Sequence, residues 1–224
     1  MIQRACSSGA RILDLGCGPG ALTVTLAHAG YVVTAGDRSD VMLELAAHRA
    51  RSAGVADRVT TRRLDAHDLP FRRATFDAVV ALGLLQWSHS PERVMEEMAR
   101  VVKPGGYVVA NVTNRRQLAA LIDPARAALR ALGPAKRLMS QGRHEVHNLH
   151  TLADLWALLQ KNGLSPLSVG AFGYGPFTVL GREVVPDELG QWLQTQLGVR
   201  AREVPAIRRA AAQLLVLAVH SPPP

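Results

Sequence analysis

The sequence predicts an α/β fold, a mostly parallel sheet covered by helices on both faces. Short apolar runs of strand length alternate with helical stretches along the chain. Successive units of that kind need crossover helices, which cover both faces of the sheet. The first apolar run closes on the glycine-rich turn "DLGCGPG", at the strand end where such sheets take their ligands.

In chain order, "RILDL" and "YVVTAGD" are strands joined through "GALTVTLAHAG", a helix ending at Gly30. "SDVMLELAAHRARSAG" is a helix capped by Ser39 and Asp40 that places Val41, Met42, Leu45 and Ala46 on one face and stops at Gly54. "RVTTRRLD" and "FDAVVALGLL" are the next strands. In "SPERVMEEMARVVKPGG", Ser90 caps a helix with Pro91 at its first position and an apolar stripe of Val94, Met95, Met98, Val101 and Val102. After a turn at Gly105-Gly106, "YVVANVT" is a fifth strand. "TLADLWALLQKNG" is a helix with Thr151 and Asp154 spaced as a capping box. Strands are expected around Leu164–Phe172 and Leu214–His220, and "SPPP" reads as a frayed tail.

The 224 residues fit one domain, 48% of them hydrophobic and 20% charged, which suits a full core. Aromatics at 4% leave few platforms for stacking bases, and nucleic acid is not an expected partner. No apolar run approaches the ~20 residues of a membrane span, and "MIQRACSSGAR" has no signal-peptide core. Cys6 and Cys17 make no disulfide framework, so a cytoplasmic setting is expected. The net charge of +8 is mostly arginine and speaks to attraction for anions rather than to fold.

Gly16, Gly18 and Gly20 stand at alternate positions where a ligand needs bare backbone. Gly16, Gly18 and Ala21 also satisfy the dinucleotide pattern G-x-G-x-x-A, with Asp37 about 20 residues on to hold a ribose. The loop alone leaves a nicotinamide cofactor and another adenosine-containing one both open.

Five stretches in register, "ILDLGCGPG", "VVTAGDRSDVML", "RRLDAHDLPF", "FDAVVALGLLQW" and "MARVVKPGGYVVANVT", together resemble the class I S-adenosylmethionine-dependent methyltransferases. The likeness is strongest to the small-molecule group that includes ubiquinone and menaquinone biosynthesis enzymes. It covers Arg11 to Thr113 and, more weakly, "LHTLADLWALLQKNGL". It implies a Rossmann-like, seven-stranded mostly parallel sheet of order 3-2-1-4-5-7-6 with an antiparallel last strand, and S-adenosyl-L-methionine as cofactor. It also implies that Asp14 and the loop Gly16, Cys17, Gly18 and Gly20 hold the aminocarboxypropyl chain. Asp37 would take the ribose hydroxyls, Arg38 and Met42 would flank the adenine, and Asp65 and the Ala66 backbone would read its edge. Asp68 is a turn residue before Pro70, and Leu82 lines the methyl-donor side. Members that methylate base amino groups or amides carry Asn/Asp-Pro-Pro-Tyr/Phe after the fourth strand, whereas this chain has "ALGLLQWSHS". The implied acceptor is therefore a small molecule, natural-product or quinone-like, methylated on O, N or C.

Family members place substrate-recognition elements in the segment 114–150. Here seven basic residues (Arg115, Arg116, Arg126, Arg130, Lys136, Arg137, Arg143) oppose Asp123 and Glu145, with Arg126 and Arg130 on one helix face. This fits an anionic or carrier-bound acceptor or a membrane surface, and equally a solvated helix face. His144, His147 and His150 recur at three-residue steps that do not converge on one metal site. His144, His147 and His89 are instead candidate general bases. A second insertion, 175–212, carries "PDELGQWLQTQLG" and suits an oligomer contact or a cover for the site. The family's lid precedes the glycine loop, and this chain has about ten residues there, which leaves an open site, a short start or a partner subunit as readings. A catalytically inactive S-adenosylmethionine-binding homologue is the alternative function, and a nicotinamide oxidoreductase is a further one.

Overall fold

The computed structural model describes residues 5–114, 149–174, 178–179, 182–183, 187–201 and 203–221. Strand β1 (Arg11–Leu15) leads into α1 (Ala21–His28), β2 (Val32–Asp37), α2 (Asp40–Ser52), β3 (Val59–Arg63), β4 (Phe76–Ala81), α3 (Pro91–Val101) and β5 (Val102–Asn114). There follow β6 (Leu149–His150), α4 (Leu152–Lys161), β7 (Leu164–Phe172), β8 (Thr178–Val179), β9 (Arg182–Glu183), α5 (Asp187–Arg200), α6 (Pro205–Ala210) and β10 (Gln213–His220). The main sheet runs β3-β2-β1-β4-β5-β10-β7, the expected order 3-2-1-4-5-7-6 when its seven long strands are counted along the chain. The pairs β3·β2, β2·β1, β1·β4 and β4·β5 are all parallel. Ser221 N–H donates to Gly163 O and Ala212 N–H to Gly173 O, so β10 runs antiparallel to β7. The sequence did not anticipate β6, which adds two residues beside Thr113 and Asn114 at the end of β5, or the separate antiparallel pair β8·β9.

The chain divides into two compact units, one of residues 1–111, 156–168 and 216–224, the other of 112–155 and 169–215. In the first, Ile12 to Leu15 of β1 and Ala78 to Ala81 of β4 are fully buried, as strands covered on both faces must be. The stripe on α3 packs as its spacing requires, with Val94, Met95, Met98, Val101 and Val102 all sealed from solvent. Ser90 Oγ accepts the Arg93 N–H to cap that helix. In the second unit, Tyr174, Ala201 and Ala211 form a small apolar cluster, and the Asn114 amide donates to the carbonyls of Arg209 and Ala211 at 2.7 Å each. The capping box at α4 is complete: Thr151 N–H donates to Asp154 (2.7 Å) and Asp154 N–H to Thr151 Oγ1 (3.2 Å). Both expected insertions, 114–150 and 175–212, fall within the second unit. No helix among the described residues is long and apolar enough to cross a membrane.

Two local expectations need correction. Helix α2 buries Leu43, Ala46 and Ala50, while Val41 (61% exposed) and Leu45 (47%) face outward. Its inner face is small because α1 comes close: a Cβ on Gly20 would lie 2.7 Å from Ala46 Cα. The third glycine of the loop therefore serves helix packing as much as any ligand. Strand β5 also begins earlier than the sequence suggested, pairing Val102 with Phe76 before a register shift that carries it to the Ala78–Tyr107 pair.

Candidate functional site

A cleft of about 650 Å³ opens in the first unit at the carboxyl ends of β1, β2, β3 and β4, where open α/β sheets take ligands. Its floor comes from Leu15 and Gly16 at the end of β1 and from Gly36, Asp37 and Arg38 at the end of β2. Leu64, Asp65, Ala66 and His67 follow from β3, and Gly83, Leu84 and Trp87 to His89 from the segment after β4.

The glycine loop is tied down by the protein's own hydrogen bonds. Gly16 and Cys17 both donate N–H to Gly36 O, at 2.7 and 3.0 Å. Gly16 and Gly18 take positive φ (73° and 52°), and a Cβ on Gly18 would meet nothing within 4 Å, so that side of the loop stands open. Helix α1 starts at Gly20 with no side-chain cap, which leaves first-turn amides for an anionic group.

Asp37 holds the loop and the next helix together. One carboxylate oxygen accepts from Gly18 N–H (3.0 Å) and the other from Ser39 N–H (2.9 Å). Each oxygen keeps further lone-pair capacity, the chemistry a vicinal diol needs. Asp14 lies beneath the loop, 2% exposed, and accepts the Thr23 hydroxyl at 2.6 Å. Burial, aided by the charge of Asp37, pushes its carboxyl up to about 6, against the opposing pull of Thr23. The Cys17 thiol is pushed up to about 12 by burial and by both carboxylates, so it is no nucleophile.

The expected residues divide between the cleft and its foundation. Gly16, Asp37, Arg38, Asp65, Ala66 and His89 line the cleft, while Asp14, Cys17, Gly18, Gly20, Met42 and Leu82 do not. Met42 N–H is held by Ser39 Oγ, and Leu82 closes the end of β4 with 40% exposure. Asp68 sits in the turn after Asp65, as expected. His144 and His147, the charged residues Arg115 to Glu145 and positions 175–177, 180–181, 184–186 and 202 of the second insertion lie outside the described residues.

The sequence did not single out His67, yet in the cleft it contacts Asp65, Ser88 and His89. Its Nδ1 lies 2.8 Å from Asp65 Oδ1 and its Nε2 2.8 Å from Ser88 Oγ, and its ring stacks on His89 at 3.7 Å. The His67 backbone N–H also donates to Asp65 Oδ1, and together these contacts hold the Asp65 carboxyl below its ordinary range. The available signal was the pair of motifs Asp65-x-His67 and Ser88-His89, both just past strand ends.

These features match known proteins. A family model described as a methyltransferase domain matches residues 13–110. The ubiquinone biosynthesis O-methyltransferase of Xanthomonas axonopodis pv. citri is 32% identical over 173 residues, 76% of this chain and 69% of that one. Its counterpart in Bordetella avium is 30% identical over 171 residues, 76% and 68% of the two chains. Among solved structures, an S-adenosylmethionine-dependent methyltransferase of Methanosarcina mazei superposes with a TM-score of 0.68 at 20% identity, covering 98% of this chain and 96% of that one. That last likeness concerns the fold. The sequence relatives decide between the two adenosine cofactors the glycine loop left open, in favour of S-adenosylmethionine, and the chain belongs to the class I S-adenosylmethionine-dependent methyltransferases.

Proposed function

We propose that this protein methylates an oxygen atom of an apolar, quinone-like small molecule. The observation that carries the choice of acceptor is the segment after β4. It presents Trp87, 51% exposed, and Leu84 in the cleft wall. Large apolar side chains lining a cleft suit a flat hydrophobic acceptor. The O-methyltransferase relatives named above favour the same chemistry.

When bound, S-adenosylmethionine supplies an electrophilic methyl carbon on a sulfonium. The chain's residues fit it: an uncapped helix N-terminus for its carboxylate, Asp37 for its ribose, and Asp65 with the Ala66 backbone for its adenine. Asp14 beneath the loop complements the ammonium, and Arg38 and Met42 flank the base. The apolar side chains in the cleft wall would hold the acceptor beside the methyl donor, and such positioning can supply most of the acceleration. In this reading His89, which lines the cleft, would take the proton of the acceptor hydroxyl.

Turnover with methyl-labelled cofactor tests the reading, using dihydroxylated aromatics that carry a prenyl chain and the same rings without one. The expected result is label on a ring oxygen, with the lower Michaelis constant for the prenylated acceptor. Label found on neither set would remove the proposed acceptor class. In the same assay Asp37→Ala should weaken cofactor binding at least tenfold, because it removes charged acceptors and unties Gly18. Unchanged affinity in a folded variant would displace Asp37 from the ribose.

A further inference from the structure

We infer that His67 is a positioning residue for the cofactor's base: it fixes the Asp65 carboxylate so that the site selects adenine over its deaminated form. The inference rests on the reading of Asp65 as the adenine acceptor. Asp65 is an exposed side chain at the end of β3, 69% accessible, and such a group ordinarily samples several rotamers. Here both the backbone N–H and the ring Nδ1 of His67 converge on Oδ1, at 2.9 and 2.8 Å. Among the described residues Oδ2 has no hydrogen-bond partner, which leaves it for a ligand donor.

The ring is itself fixed from the far side. An ionised carboxylate only accepts, so Nδ1 carries a proton and donates to Asp65, while Nε2 shares a hydrogen bond with the Ser88 hydroxyl. Ser88 is 5% exposed and takes the Ser90 N–H at 3.1 Å, which anchors it to the start of α3. The His89 ring stacks against one face of the imidazole. A chain of contacts thus runs from α3 through Ser88 and His67 to one carboxylate oxygen.

The consequence is selectivity. Adenine offers an amino group that donates to a carboxylate. Hypoxanthine offers a carbonyl there, and two acceptors facing each other repel. A carboxylate free to swing away would tolerate either base, and a fixed one does not.

Calorimetric titration of the full-length protein with S-adenosylhomocysteine and with S-inosylhomocysteine tests this. Wild type should bind the adenosyl ligand at least tenfold more tightly. His67→Phe keeps a ring for His89 to stack on and removes the contact to Asp65. It should weaken the adenosyl ligand about five- to tenfold and leave the inosyl ligand within twofold, so that the preference collapses. Ser88→Ala, which does not touch Asp65, should reduce the preference about threefold in the same direction. Both variants should first show a wild-type thermal transition, and a His67→Phe that fails it leaves Ser88→Ala to decide. Equal weakening of both ligands would make His67 merely structural and overturn the inference. So would a folded variant that discriminates as wild type does. Wild type binding both ligands equally would instead remove Asp65 from the adenine, and the inference with it.

Discussion

Asp14 shows how one buried carboxyl trades stability against ligand binding. Its ordinary value is 3.8, and the fold raises it to about 6, mainly through burial. A raised acid favours the folded state while protonated, so its contribution is fully present below about pH 4 and is lost as pH rises through about 6. At pH 7.5 the ionised group costs about 3 kcal/mol relative to an unperturbed aspartate. Asp14→Asn keeps an acceptor for the Thr23 hydroxyl and carries no charge. Its ligand-free melting temperature should therefore exceed wild type by several degrees at pH 7.5 and match it near pH 4. If Asp14 complements the cofactor's ammonium as proposed, cofactor affinity should also fall. Melting curves showing the same offset at both pH values would disprove this account. Asp14 and Asp37 were legible in the sequence because each ends an apolar run. His67 was not, because its importance comes from Ser88 and His89, which only the fold brings beside it.

At the scale of elements, α3 carries an ion-pair network that fastens the chain between β3 and β4. Glu97 is 1% exposed and accepts from Arg100 (2.6 Å) and from the Leu69 N–H (2.8 Å). Arg100 in turn donates to the Leu69 and Phe71 carbonyls, so the 69–71 segment is pinned against the helix. The Arg100 guanidinium holds the Glu97 carboxyl below its ordinary range, and a depressed acid stabilises above its unfolded value and stops doing so as pH falls through the folded one. Glu97→Ala should cost about 3–5 kcal/mol in urea denaturation between pH 6 and 8, since it leaves a buried amide and a cation uncompensated. The difference should shrink below pH 4, and a cost under 1 kcal/mol at neutral pH would show the network to be solvated. The α3 stripe could be read from sequence because its large apolar residues share a single face. The α2 face could not, because Val41 and Leu45 are apolar yet outward, while the real contact uses alanines. Strand β6 has two residues, too few for any periodicity.

Over the whole molecule, the sheet order followed from the family resemblance and not from any pattern in the strands themselves, since alternation says nothing about which strand lies next to which. The charge of +8 adds a long-range effect that no single contact contains. If the arginines of the 114–150 insertion attract an anionic acceptor, salt should screen them over ~8–10 Å. Reversing Arg126 and Arg130 to glutamate should then raise the acceptor's Michaelis constant and flatten its dependence on salt, with cofactor affinity spared. Identical acceptor kinetics in both proteins from low to high salt would make these arginines a solvated surface. The glycine loop also bears on timing. The Gly18–Asp37 and Gly16–Gly36 bonds fix its shape through the protein's own groups, so cofactor capture should need little ordering of backbone. Arrival is then a matter of encounter rate, and differences in affinity among loop variants will be felt in how long the cofactor stays.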